Sequence, residues 1–380
     1  MKKIGILTFH RSHNNGSMLQ ALALQNIINE KYNCCAEIID FSNYAQQNMY
    51  APIPKPKNIK QLIKAIIWST NYKQMKCQYR AYDKFAQKYF RLSDKKYSTS
   101  MEMKKIEDNY DAFIAGSDQV WNIKCIDADD VYYLDFVSNK PCYSYAVSFG
   151  ANNPFVLDDS QTYKKYLNNF KKISVREKNA QKWIEQATGN MVPICLDPTM
   201  LYDKTEWEKM VDIGNSPIIS GKYIFFYCFS LTEEVQRFLK HVSKQTGLPV
   251  YFMEAKEWTL KCCWKNGIKL IKQYGPDVYM NVVKYAEIFI TTSFHGTAFS
   301  TIYKKRFWYI KSKESESSQD DRAISFLSQL NLTSQYKTIT ELMDTDLFQF
   351  PDYTGIDERI KKLREESFDY LQSIIEDITE

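Results

Sequence analysis

Glu287–Lys305 reads EIFITTSFHGTAFSTIYKK. The apolar run Ile288–Phe289–Ile290 passes through Thr291 and Thr292 into Ser293, Phe294, His295, Gly296 and Thr297, and the residues beyond read as helix. A short, unbroken apolar run predicts a strand buried on both faces of a parallel sheet, because an antiparallel strand with one wet face would alternate. Ligands of open parallel sheets bind beyond the carboxyl ends of the strands. His295 stands at such an end, beside a glycine and a helix start. It is therefore a candidate for chemistry, with Ser293 and the amides of Gly296 and Thr297 as candidate partners for an anion. The competing reading is a histidine that fills a tight corner.

The same run type recurs along the chain. Ile4–Phe9, Ala36–Phe41, Asp111–Ala115, Tyr143–Val147, Lys172–Val175 and Val192–Leu196 form one set. Tyr223–Phe229, Val250–Met253, Ile288–Thr291 and Phe307–Ile310 form a second. Helical patterns lie between them at Met18–Glu30, Thr232–Thr246 and Val278–Ala286. Strands alternating with helices predict an α/β class with doubly wound parallel sheets. A chain of 380 residues also exceeds what one core usually serves. The boundary is expected near residues 200–207, where Pro198 ends one series and Trp207 begins a helix. This gives a first domain over 1–205 and a second over 206–355. Lys311–Asp321 (KSKESESSQDD) is expected as a polar loop. Asp357 to about Ile378 is expected as one amphipathic helix, with Ile360, Leu363, Phe368, Leu371, Ile374 and Ile375 on its apolar stripe. By analogy with two-Rossmann proteins, the helix at 356–380 would rejoin the first domain.

Two further strand ends carry polar residues. After Phe9 comes His10–Arg11–Ser12–His13–Asn14–Asn15–Gly16, with a helix expected from near Ser17. Cations, a glycine and helix-start amides make an anion site, with His10, Arg11, His13, Asn15 and Gly16 as candidates. A polar loop with an Asn15–Gly16 turn and Ser17 as N-cap is the alternative. The stretch is neither GxGxxG nor a P-loop. After Ala115 comes Gly116–Ser117–Asp118–Gln119, then Trp121. Ser117 and Asp118 can hold a sugar hydroxyl or take its proton, and Trp121 can stack on a sugar ring. A helix-start signal with a core tryptophan reads equally well. Arg176 and Glu177 follow the run ending at Val175, where an arginine presents a bidentate fork to phosphate or carboxylate. Asp197 follows another run; its plainer reading is an Asp-Pro turn.

Composition sets limits. With 44% hydrophobic and 25% charged residues the chain is an ordinary globular protein. Fifty basic against 45 acidic side chains, a formal +5, is too balanced for nucleic-acid binding as its main business. Basic residues crowd Lys55–Arg91, where Ile59, Leu62, Ile63, Ile66 and Ile67 recur at helical spacing. That segment is either a solvated face of a packed helix or a surface for anionic lipid or a lipid-linked substrate. Nine cysteines show no CxxC pair or zinc spacing, so no metal is expected, and reduced, mostly buried thiols of a cytoplasmic protein are. The first apolar run is too short for a secretion signal, and no run approaches a membrane span. The expected location is the cytoplasm, at most peripheral at the inner face of a membrane.

The blocks FHRSHNNGSMLQALALQ, DAFIAGSDQVWN, SYAVSFG, SVREKNA, CLDPTML and ITTSFHGTAFSTIYKKRF occur in that order between Lys3 and about Leu330. Together they resemble the polysaccharide pyruvyl transferase family. The resemblance implies two Rossmann-like domains facing a cleft, similar to the B-type glycosyltransferase fold. It implies transfer of pyruvate from phosphoenolpyruvate to two hydroxyls of a sugar, giving a cyclic ketal and phosphate. The acceptor would belong to a bacterial surface polysaccharide or its lipid-linked precursor, and no cofactor would be needed. Arg176 matches the family's arginine in the S-V-R-E block and His295 its histidine. Asp118 and Asp197 would hold or deprotonate the acceptor hydroxyls. Some family members carry an arginine two residues before the motif histidine, where this chain has Ser293. Two alternatives stand beside this reading: a nucleotide-sugar glycosyltransferase on the same fold, and an inactive binding protein of a polysaccharide cluster.

Overall fold

The computed structural model describes residues 1–228, 231–311 and 322–380. The polar stretch expected as a loop therefore lies, Lys311 aside, outside the described residues, as does Phe229. Twelve strands among the described residues form two six-stranded sheets in which every pairing is parallel. The first sheet holds β1 (Lys3–Leu7), β2 (Cys35–Phe41), β3 (Leu92–Tyr97), β4 (Ala112–Ala115), β5 (Cys142–Ser144) and β6 (Phe170–Lys172), in the order β3-β2-β1-β4-β5-β6. The second holds β7 (Ile224–Tyr227), β8 (Val250–Phe252), β9 (Lys269–Leu270), β10 (Ile288–Thr291), β11 (Phe307–Ile310) and β12 (Tyr336–Lys337), in the order β12-β11-β10-β7-β8-β9. Each is the doubly wound Rossmann order. The winding direction reverses between β1 and β4 in the first sheet and between β7 and β10 in the second, and ligands bind at such a reversal.

The central strands β4, β7 and β10 are buried at every residue. Their unbroken apolar runs follow from that, since both faces carry helices. The expected strands missed β3, β9 and β12. All three are edge strands; LSDKKY of β3 is half solvated, and the other two are two residues long. The strand expected at Val192–Leu196 is instead an isolated bridge of Ile194 to Val175. Pro193 has no N–H to give a ladder there. The first helix begins at Asn15, not near Ser17. Asn14 is its N-cap and accepts from the amides of Gly16 and Ser17 at 3.0 and 3.4 Å.

The closing helix, Ile356–Thr379, buries Leu371, Ile374, Ile375 and Ile378. Its first turn meets the second domain, where Lys304 Nζ donates to Asp357 (2.7 Å) and Arg359 Nε to Leu330 O (3.0 Å); its later polar contacts fall on the first sheet and the segment after it. Ser367 Oγ accepts from Leu196 N (2.9 Å), Tyr370 donates to Ser144 O (2.8 Å), and Arg364 donates to the carbonyls of Met200 and Tyr202 (2.6 and 2.7 Å). One hydrophobic core runs between the two sheets and includes the Asn15–Lys31 helix, Phe294–Tyr303 and this helix. Among the described residues no helix is long and apolar enough to cross a membrane.

Candidate active site

The carboxyl ends of β1, β4 and β10 converge. Asp197, which caps the turn Pro198–Leu201, stands at the centre and is fully buried. Its Oδ1 accepts from the amide and hydroxyl of Thr199 at 3.0 and 2.7 Å. Its Oδ2 accepts from Arg176 Nη1 at 2.5 Å and Ser117 Oγ at 3.0 Å, and lies 3.4 Å from His295 Nε2. Burial alone would raise this carboxyl. His295, Arg176 and the Thr199 amide together outweigh it and hold the group well below the usual carboxylate range.

Arg176 is the second hub. Its guanidinium lies over the Phe294 ring, 4.4 Å from the centroid, and its Nη2 is 3.6 Å from Asp118 Oδ1. Its Nε and Nη2, and His295 Nε2, are buried and make no hydrogen bond. Buried donors without partners are uncommon in native proteins and point to a ligand that completes them. Asp118 adopts φ 75°, a left-handed conformation that costs a non-glycine residue about 1 kcal/mol. That turn lets its backbone carbonyl accept from Ser148 N (2.9 Å) while its carboxylate takes the Ser17 hydroxyl.

The helix after β10 is Phe294–Ile302, with Ser293 as N-cap. Gly296 lies against Thr291, whose Oγ1 a methyl group on Gly296 would overlap. The amide of Gly296 turns to Ser293 Oγ (3.4 Å) and that of Thr297 to Ser293 O (3.1 Å). The first domain's loop meets this corner directly: a methyl group on Gly16 would overlap Cγ, Nδ1 and Cβ of His295. Asn15 donates to Tyr227 Oη at the end of β7 and to Met253 Sδ just after β8, at 3.5 and 3.4 Å.

Four sequence candidates stand apart from this cluster. His10 is fully buried, with Nδ1 3.1 Å from Thr8 O and Nε2 3.2 Å from Asp40 Oδ1. Arg11 grips the same carboxylate with Nε and Nη2 at 2.7 and 2.6 Å. His13 sits among Tyr50, Tyr79 and Tyr82, stacked on Tyr82 at 5.1 Å. Burial there, with Lys256 and Arg11 nearby, lowers its pKa to about 3. Trp121 lies in the core, stacked on Tyr133 at 4.9 Å and donating to Tyr132 O at 3.0 Å. Neither ring face is open to a sugar.

The sequence reading passed over Ser17, Thr199, Phe294 as the shelf under Arg176, and Glu254. Glu254 follows β8, the strand-end signal that marked the other candidates. It accepts from Gln78 Nε2 at 2.9 Å, while its buried Oε1 has no partner. Burial raises its pKa to about 7 against the pull of Gln78 and Lys256. Among the described residues no group of three or more His, Cys, Asp or Glu is placed to hold a metal.

The model of one family, polysaccharide pyruvyl transferase, matches residues 14–314. The chain belongs to that family. The match spans the first helix, Asp118, Arg176, Asp197 and His295, so the whole cluster lies inside it. No curated protein matches the chain. Among solved structures it is similar to the S. aureus MnaA–UDP co-structure (TM-score 0.53, 9% identity, 97% of this chain and 91% of that one). It is also similar to Methanocaldococcus jannaschii UDP-GlcNAc 2-epimerase in complex with UDP-GlcNAc and UDP (0.53, 11%, 97% and 100%). The UDP-N-acetylglucosamine 2-epimerase of Rickettsia bellii gives 0.50 at 7% identity, covering 100% and 98%. At such identities these likenesses show the fold alone: two Rossmann-like domains, as in B-type glycosyltransferases.

Proposed function

We propose that this pyruvyl transferase family member moves the pyruvyl group of phosphoenolpyruvate onto two hydroxyls of a sugar in a surface polysaccharide or its lipid-linked precursor. The products are a cyclic ketal and phosphate. The observation that carries the reading is the buried nitrogen set of Arg176 Nε, Arg176 Nη2 and His295 Nε2 where the ends of both sheets meet: each faces a carboxylate (Glu177, Asp118 and Asp197 at 3.9, 3.6 and 3.4 Å) and none is hydrogen-bonded. A small dianion with a carboxylate and a phosphate supplies acceptors at hydrogen-bond distance, which these carboxylates do not.

The residues divide the work as follows. Arg176 holds the phosphate or carboxylate. His295 gives a proton to the methylene carbon, leaving cationic character at the central carbon. Asp118 takes the proton of the first acceptor hydroxyl as its oxygen bonds to that carbon. The second hydroxyl then replaces phosphate as the carbon–phosphate-ester bond breaks, and its proton leaves with the phosphate. Asp197 positions both Arg176 and His295 and stays ionised.

Incubation with phosphoenolpyruvate and a panel of galactose-, glucose- and mannosamine-type acceptors should release phosphate and add one pyruvate ketal to an acceptor. His295→Ala should lose about 10²–10⁴-fold in turnover, more than its loss of one anion donor costs in phosphoenolpyruvate binding. Turnover unchanged in that variant would falsify the assigned role. Thermal stabilisation by UDP- or GDP-sugars and not by phosphoenolpyruvate would replace the reading with glycosyl transfer.

A further inference from the structure

We propose that the helix Ile59–Ser69 is a docking face for an anionic lipid surface. Asn58 caps this helix through its side chain, which accepts from Gln61 N at 3.0 Å. Its inner side is narrow. Ala65 is its one buried residue, and the Trp68 indole donates to Lys256 O at 3.1 Å. Its outer side is apolar. Ile59, Leu62, Ile63 and Ile66 fall at positions 0, 3, 4 and 7 of one helical stripe, and they are 74, 46, 53 and 60% exposed.

Four large aliphatic side chains in one exposed stripe mark an interaction surface, since water disfavours such a patch. The surrounding charge selects the partner. Lys60 and Lys64 line one side of the stripe; Lys55 and Lys57 precede it; Lys73 and Lys76 follow it on the next helix, Tyr72–Tyr89. No acidic residue occurs between Asp40 and Asp83. An apolar stripe rimmed by lysines is the pattern of a helix that lies in the plane of a bilayer interface. Each lysine near an anionic leaflet adds about a fivefold gain in partitioning. A second copy of the chain would bring two lysine rows against each other, so charge complementarity favours lipid. The helix also packs beside Ala255–Leu260, which follows β8, so docking brings the carboxyl-end side of the second sheet near the bilayer. The docking stands independently of the transfer reaction.

Co-sedimentation of the full chain with vesicles of phosphatidylcholine and phosphatidylglycerol, against phosphatidylcholine alone, tests this. Binding to the anionic vesicles should be stronger by about tenfold or more, and should weaken in high salt. Ile63→Ser/Ile66→Ser should lose about tenfold and Lys60→Glu/Lys64→Glu about 25-fold or more, with unchanged melting temperature, because these side chains are exposed. Lys361→Glu/Lys362→Glu, on the exposed face of the closing helix, should bind as wild type. Equal binding by all variants, or no preference for anionic vesicles, would overturn the proposal. So would a concentration-dependent dimer dispersed by Ile63→Ser/Ile66→Ser, which would assign the face to a second copy.

Discussion

The imidazole of His295 occupies the space where a side chain on Gly16 would begin. Gly16 lies in the first turn of the first domain's leading helix, and His295 in the first turn of the helix after β10. The two strand-end loops are therefore in contact, and the corner of one domain is closed by the backbone of the other.

Gly16→Ala tests that contact. The added methyl group has no room, so either the helix start or the imidazole must move. We expect about 1–3 kcal/mol of lost stability, as for overpacked cores. Transfer activity should fall more steeply than stability, because His295 leaves its place beside Asp197. Thermal melts paired with initial rates separate the two. Wild-type rates in the folded variant would show that the position of His295 is irrelevant to turnover.

Arg176 should separate charge from geometry. Arg176→Ala leaves Asp118 buried without its cation and Asp197 with His295 alone, and a broken buried pair costs about 3–5 kcal/mol. Arg176→Lys keeps the charge and loses the fork. The lysine variant should fold and should bind phosphoenolpyruvate at least about tenfold more weakly by calorimetry. Equal affinity in the two proteins would remove Arg176 from the anion site.

Glu254 should make stability depend on pH. Its carboxyl ionises at about 7 in the fold and near the usual carboxylate value when unfolded, so the unfolded chain releases its proton first. Stability is then highest below the unfolded value and falls as pH rises to about 7. Glu254→Gln mimics the protonated form. It should be more stable than wild type by about 3 kcal/mol at pH 8 and nearly equal to it at pH 4. Denaturant titrations at both pH values check the sign; a variant destabilised at pH 8 would mean that the carboxylate is paired.

Trp121→Phe distinguishes core from sugar platform. It removes the hydrogen bond to Tyr132 O and part of the stack on Tyr133. About 1–3 kcal/mol of stability should be lost, with the acceptor KM unchanged. A large rise in KM at constant stability would place the ring in the acceptor site.

Local sequence carried much of this. Unbroken apolar runs located the central strands, because burial on both faces leaves no room for polar alternation. The ordered motif blocks identified the family, and the same blocks contain Asp118, Arg176, Asp197 and His295. Edge strands such as β3 escaped, because a half-solvated strand of lysine and serine has no hydrophobic signature. Pairings across the chain also escaped. His10 and Arg11 looked as available as His295, yet Asp40, about 30 residues away, claims both. Trp121 could be platform or core until Tyr133 and Phe170 were seen around it.

By itself, then, the sequence determined the α/β class, the family and the strand ends at which polar residues gather. These depend on burial pattern and local order along the chain. Which of those residues meet was decided only in three dimensions. Asp197 joins Arg176, Ser117 and His295 from separate strand ends, and Gly16 leaves the gap that His295 fills. Side-chain contact depends on the packing of two sheets through one shared core, and residues nearly 300 positions apart carry no local signal of it.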